Sequence, residues 1–174
     1  MARDPELQAL LDKQAIHEVV LRYCRGIDRL DAELIRSCYH ADATDAHGTY
    51  TGTRDDFVEW VTGVLARFGG TMHVIANHLV EVDGDAAGSE AYGMAFHFGD
   101  PPEDHRRNFT TGFRYVDRFE RRDGEWRIAA RVAVREWTHK VTPEQQWLIP
   151  PDRDGARGRR DRRDAVYTLG ATRP

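Results

Sequence analysis

Residues 114–128 read RYVDRFERRDGEWRI, and the architecture turns on this stretch. Asp123-Gly124 at its centre is a strong short-hairpin signal, because both turn residues must accept a positive φ. The flanking alternation predicts two long antiparallel strands, Phe109–Arg121 and Trp126–Lys140. Just upstream, Thr71–Val82 and Ser89–Phe98 repeat the pattern around a turn containing Asp83-Gly84-Asp85. The second half of the chain therefore reads as a meander.

The first half reads as helix. From Pro5 to Leu30 the apolar residues Leu7, Leu10, Leu11, Ile16, Val19, Val20, Tyr23, Cys24 and Ile27 keep helical spacing, with Asp4 as N-cap and Pro5 at the first position. Asp31 opens a short second helix through Tyr39, and Thr53 opens a third from about Arg54 to Phe68. Ala43 to Gly52 reads as a short strand or hairpin arm turning at Gly48. Helices first and a meander later predict an α+β fold, with helices packed on one face of a curved sheet.

At 174 residues, with 40% hydrophobic and 31% charged positions, the chain has the size and apolar content of one ordinary domain. No run of 18 apolar residues is present, and the polar, acidic start is not a secretory leader, so a cytoplasmic location is the expectation. A net charge of -4 argues against nucleic-acid binding by the whole surface. Of 25 basic residues only Lys13 and Lys140 are lysines, a bias consistent with a GC-rich genome. Cys24 and Cys38 lack CxxC spacing and read as reduced, semi-buried thiols. Gly99–Arg107 reads as a polar loop, and Asp152–Asp164, with six Arg and four Asp, as a surface-draped tail. The division expected is a domain over 1–140 and an Arg-rich tail over 141–174.

Four positions stand out chemically. Asp28 continues the apolar stripe of Leu21 and Cys24; it either faces the core or frays into water near Arg25 and Arg29. His73 shares a strand face with Ile75, Asn77, Leu79 and Glu81, and His78 falls on the opposite face. On the next strand Ser89, Ala91, Gly93 and Ala95 are small, which leaves volume above the sheet, and a three-residue turn would set His97 opposite His73. Arg131 alternates with alanines on a face running from Arg127 to Trp137, either as an exposed Arg row or as a pocket cation. There is no HxxxH, HExxH, Walker-type loop, GxGxxG or GxSxG, and neither a metal nor a cofactor is expected.

The ordered set Asp12–Asp28 (DKQAIHEVVLRYCRGID), Tyr39–Ala43 (YHADA), Gly48–Gly52 (GTYTG), Thr71–His73 (TMH) and 114–128, completed by Arg131 and Trp137, resembles SnoaL-like proteins of the nuclear transport factor 2-like superfamily. The resemblance spans roughly residues 5–140. It implies a cone-shaped α+β barrel, with three N-terminal helices on a strongly curved, mostly antiparallel sheet around a deep pocket. Dehydratase and dehydrochlorinase members pair an Asp at the end of the first helix with a His on the first long strand, which Asp28 and His73 match. The resemblance further implies substrate contacts for Tyr23, Tyr50, His97 and Arg131. The activity it implies is a lyase or isomerase of the dehydratase kind, without a cofactor, on a small hydrophobic alicyclic, steroid-like or polyketide-like substrate. The alternative is a non-catalytic ligand-binding or subunit-stabilising domain. A homodimer or homotrimer is expected, with no nucleic-acid or membrane partner.

Overall fold

Capping and turn chemistry set the element boundaries in the computed structural model, which describes residues 4–99, 108–140, 142 and 158–168. Helix α1 spans Pro5–Arg29; Asp4 accepts a hydrogen bond from the Glu6 amide, and Leu30 ends the helix in the left-handed region at φ 52°. Helix α2 spans Ala32–Ser37 under an Asp31 cap, and α3 spans Arg54–Leu65 under a Thr53 cap. Gly26 lets α2 close onto α1, since a Cβ there would stand 2.8 Å from Ile35 Cγ1.

Six strands follow the order β2-β1-β6-β5-β4-β3 in one curved, open sheet. They are β1 (Tyr39–His47), β2 (Tyr50–Thr53), β3 (Gly70–Asp83), β4 (Ala86–Phe98), β5 (Phe109–Arg122) and β6 (Glu125–Lys140). All neighbouring pairs are antiparallel except β1 with β6. The expected arm at Ala43–Gly52 is thus two strands joined at Gly48, with α3 following them as expected. Asp123 and Gly124 both take positive φ in the β5–β6 turn, as the motif requires.

Helix α1 lies on the concave face and buries Ile16, Val19, Val20, Tyr23, Cys24 and Ile27. Asp12 Oδ1 accepts from both Trp126 Nε1 (2.9 Å) and Arg121 Nη1 (2.8 Å), pinning the β5–β6 hairpin to the helix. Among the described residues no helix is long and apolar enough to cross a membrane.

Strand alternation departs from a strict period of two at four places, one of them in β1 between Tyr39 and Thr44. An extra residue around Ala76-Asn77 separates the Ile75–Gly93 pair from the His78–Ala91 pair, so His73, Ile75, His78 and Val80 all face inward. Asn77 and Leu79 are therefore exposed, and His78, expected on the opposite face, meets His17 of α1 with the two Nδ1 atoms 2.8 Å apart. Strand β6 carries extra residues at Ala129 and Glu136. Ile128, Arg131, Ala133 and Arg135 consequently share the inner side, while Trp137 turns outward over Gly112. The outer face exposes Met72, Val74, Tyr92, Met94, Val132 and Trp137.

The loop expected at Gly99–Arg107 lies outside the described residues from position 100 onward, as does most of the tail. The described tail segment, 158–168, ends in the short helix α4 (Ala165–Thr168) and docks on the body. Arg160 Nη1 donates to the Leu65 and Phe68 carbonyls at 2.8 Å each, and the Tyr167 hydroxyl donates to Asp31.

Candidate active site

Asp28 closes the last turn of α1 on the buried stripe, 7% exposed, and faces the start of β3. Its carboxylate collects three donors. Thr71 Oγ1 donates to Oδ1 (2.9 Å), the His73 amide to Oδ2 (2.9 Å) and His73 Nδ1 to Oδ1 (2.7 Å). A carboxylate only accepts, so the proton of the neutral imidazole sits on Nδ1 and Nε2 is left with its lone pair. The Asp28 and His73 side chains are 10% and 8% exposed. Of the two orientations open to Asp28, the structure thus places it inward.

His73 forms part of the wall of a cavity of about 210 Å³. Apolar walls come from Ile27, Val61, Leu65, Phe68, Phe109 and Phe113, and small residues on the sheet leave the space open. Gly93 matters here, since a Cβ would stand 2.5 Å from the Phe113 ring. Trp137, on the outer face, does not fill the cavity.

The turn between β3 and β4 holds two residues, and with the β3 bulge the register sets His73 opposite Ala95 and His97 opposite Thr71. His97 is therefore a diagonal neighbour of His73, their rings 6.2 Å apart, rather than its direct partner. It lines the cavity and stacks on Phe109 with centroids 4.2 Å apart. Burial, and then the His73 charge, push its pKa down to about 4; burial and His17 push His78 down to about 4 as well. A histidine held below its unfolded value of about 6.5 gives full stability above that pH and loses it as pH falls toward 4. The urea midpoint is expected to fall between about pH 7 and about pH 5, and His97→Phe is expected to flatten that slope. An unchanged slope in the variant would exclude His97 as a contributor.

Tyr23 reaches the cavity from α1 with its ring fully buried, and burial pushes its hydroxyl pKa well up. Arg131 and Tyr50, expected as substrate contacts, are not on the cavity wall. The Arg131 guanidinium lies behind it, 4.2 Å from the Tyr23 centroid and 4.0 Å from that of Tyr115. Two parallel hydrogen bonds to Asp117 (2.7 and 2.6 Å) hold it there. Tyr50 is turned outward, because its hydroxyl donates to the Thr53 carbonyl and its ring stacks on Trp60 at 5.3 Å.

Wall residues that the sequence reading passed over are His47, Trp60, Phe68 and Arg135. For His47 a signal existed: Asp45 and His47 stand two apart on a strand and so share a face. Among the described residues no group of three or more His, Cys, Asp or Glu side chains could hold a metal ion.

The model of the SnoaL-like domain matches residues 8–132. The uncharacterised protein Rv2910c of Mycobacterium tuberculosis is 28% identical over 127 residues, covering 71% of this chain and 85% of that protein. Hexachlorocyclohexane dehydrochlorinase LinA-type3 of Novosphingobium barchaimii superposes with a TM-score of 0.72 at 18% identity, over 84% of this chain and 99% of that one. A putative scytalone dehydratase of Novosphingobium aromaticivorans gives 0.69 at 20% identity, over 82% and 96%. At these identities the structural matches speak for the fold. The domain match, over residues 8–132, shows that this chain belongs to the SnoaL-like family.

Proposed function

We propose that the protein is a lyase or isomerase that removes a carbon-bound proton from a small, largely apolar alicyclic or polyketide-like substrate. The observation that carries this reading is the 2.7 Å contact of His73 Nδ1 with Asp28 Oδ1 on the wall of an apolar cavity. Asp28 orients the imidazole and stabilises the imidazolium once it forms. Nε2 takes a proton from carbon; the freed electron pair forms a double bond as a neighbouring hydroxyl or halide leaves, or as an existing double bond shifts. The names of the two structural neighbours, a dehydrochlorinase and a putative dehydratase, agree with such a step. A base in a dry, shaped cavity suffices for it.

In the alternative, a non-catalytic binding domain, the three hydrogen bonds of Asp28 serve only to tie α1 to β3; the imidazole they orient on the cavity wall favours the enzyme reading. The apolar outer face of the sheet supports a homo-oligomer whose copies cover it.

The test uses 5-nitrobenzisoxazole, a small apolar carbon acid. Removal of its ring C–H proton opens the N–O bond to a nitrile and a coloured phenolate. The protein is expected to accelerate this elimination, and His73→Ala is expected to lower the second-order rate constant by about a hundredfold or more. Equal rates for the two proteins would sink the reading.

A further inference from the structure

The Asp28–His73 pair uses one part of the cavity wall, and a second polar cluster lies on strands β1, β5 and β6. Strand register sets Asp45, Arg131 and Asp117 in one row across β1, β6 and β5, and His47, Ala133 and Tyr115 in the next. Arg131 spends Nε and Nη2 on Asp117. Asp45 Oδ2 accepts from the Tyr39 hydroxyl at 2.7 Å. Among the described residues, four buried polar atoms then make no close hydrogen bond: Asp45 Oδ1, Arg131 Nη1, His47 Nδ1 and the Tyr23 hydroxyl, on whose oxygen Arg131 acts from nearby. Unsatisfied buried polar atoms are costly, and four within one cluster call for a reason.

Two further facts give it. The Arg131 guanidinium pairs with Asp117, and among the described residues the ion-pair partner that the buried Asp45 carboxylate in the same row has is an imidazole, not a guanidinium. That imidazole is His47, whose Nδ1 lies 3.5 Å from Asp45 Oδ1. His47 and Tyr23 both line the cavity, and His47 is held in plane by Phe57, its ring centroid 5.4 Å away.

We propose that His47, backed by Asp45 and flanked by the Tyr23 hydroxyl, forms a second polar pole of the cavity that binds a ring hydroxyl, phenolic or enolic, of the substrate. With Nδ1–H turned to Asp45, the imidazole presents Nε2 as an acceptor. The ligand hydroxyl donates to Nε2 and accepts from Tyr23 O–H, so a hydroxyl satisfies both where an ether satisfies one. The small side chain of Ala133, between His47 and Tyr115 in the row, leaves room for it. This pole would anchor one end of the ring while His73 works at carbon, so the inference rests on the cavity being the substrate site proposed above.

Binding of 2-naphthol, 2-methoxynaphthalene and naphthalene, followed by the probes' own fluorescence, tests it. The protein is expected to bind 2-naphthol about tenfold or more tighter than either analogue, the worth of one to two buried hydrogen bonds. His47→Phe and Tyr23→Phe are each expected to erase most of that preference while leaving naphthalene affinity unchanged, which shows the cavity intact. His73→Ala is expected to keep the preference. Equal binding of the three probes, no binding of any, or a preference that survives His47→Phe overturns the proposal. Because the readout needs no turnover, its failure leaves the proton-abstraction test standing, and failure of that test leaves this one standing.

Discussion

Asp28→Asn is expected to slow proton abstraction by about a hundred- to ten-thousandfold, with far less effect on folding. Asparagine keeps the shape of the carboxylate but has one acceptor oxygen where Asp28 uses two, and it adds an NH2 donor. Three donors converge on Asp28, from Thr71 Oγ1, the His73 amide and His73 Nδ1. Whichever way the amide turns, at least one donor meets a donor. If the NH2 faces His73, it donates to Nδ1 and forces the ring proton onto Nε2. The lone pair that should face the cavity is then gone. The stability cost is one poorly satisfied polar group, about 1–3 kcal/mol. Rates on 5-nitrobenzisoxazole against pH, with nitrogen-15 spectra of His73, check both halves: the variant should lose rate and show the opposite tautomer. Asp28→Asn combined with His73→Ala should be no slower than His73→Ala alone, because the two residues act as one unit. A variant within threefold of the parent, or additive losses, would remove Asp28 from the mechanism.

Arg131→Met is the second change with a large expected effect, this time on stability. The guanidinium is fully buried and bridges Asp117 while stacked between Tyr23 and Tyr115. Burial already pushes the Asp117 carboxyl above its usual range, against the lowering effect of Arg131. Without the arginine, Asp117 loses the cation paired with it, and His47 beside Asp45 is the basic group left at the row. Breaking one side of a buried pair costs about 3–5 kcal/mol, a large share of the roughly 5–15 kcal/mol that holds a domain. Arg131→Met with Asp117→Leu should recover a substantial part of the loss, because the Asp117 carboxylate is then no longer stranded. Urea midpoints of the three proteins decide it. A single-variant loss below about 1 kcal/mol would mean that water reaches the row.

Much of the fold was legible because its signals are local. Asp4-Pro5, Asp31 and Thr53 begin their helices where capping chemistry puts them, and Asp123-Gly124 closes its hairpin within one residue of the expected ends. The site was legible in part. Asp28 and His73 lie 45 residues apart, and their meeting came from resemblance to a family, not from spacing. Asp45 and His47 carried a period-two signal, but neither residue is unusual on a strand, and nothing local announces that Arg131 and Asp117 sit beside them.

By itself the sequence determined the element types, the hairpin turns, the caps and the apolar stripe of α1, but not which way Asp28 at the end of that stripe faces. Only the tertiary structure decided which faces the strand residues occupy. A single extra residue inverts every side chain beyond it, and the extra residues at Ala76-Asn77, Ala129 and Glu136 have no signature that a pattern of two can show. Those three residues bring His78 inward, turn Trp137 away from the cavity and leave Arg131 in the same inner row as Asp45 and Asp117. Bulges form where a strongly curved sheet must bend around a cavity, so their positions follow from packing across the whole fold and not from the residues at which they occur.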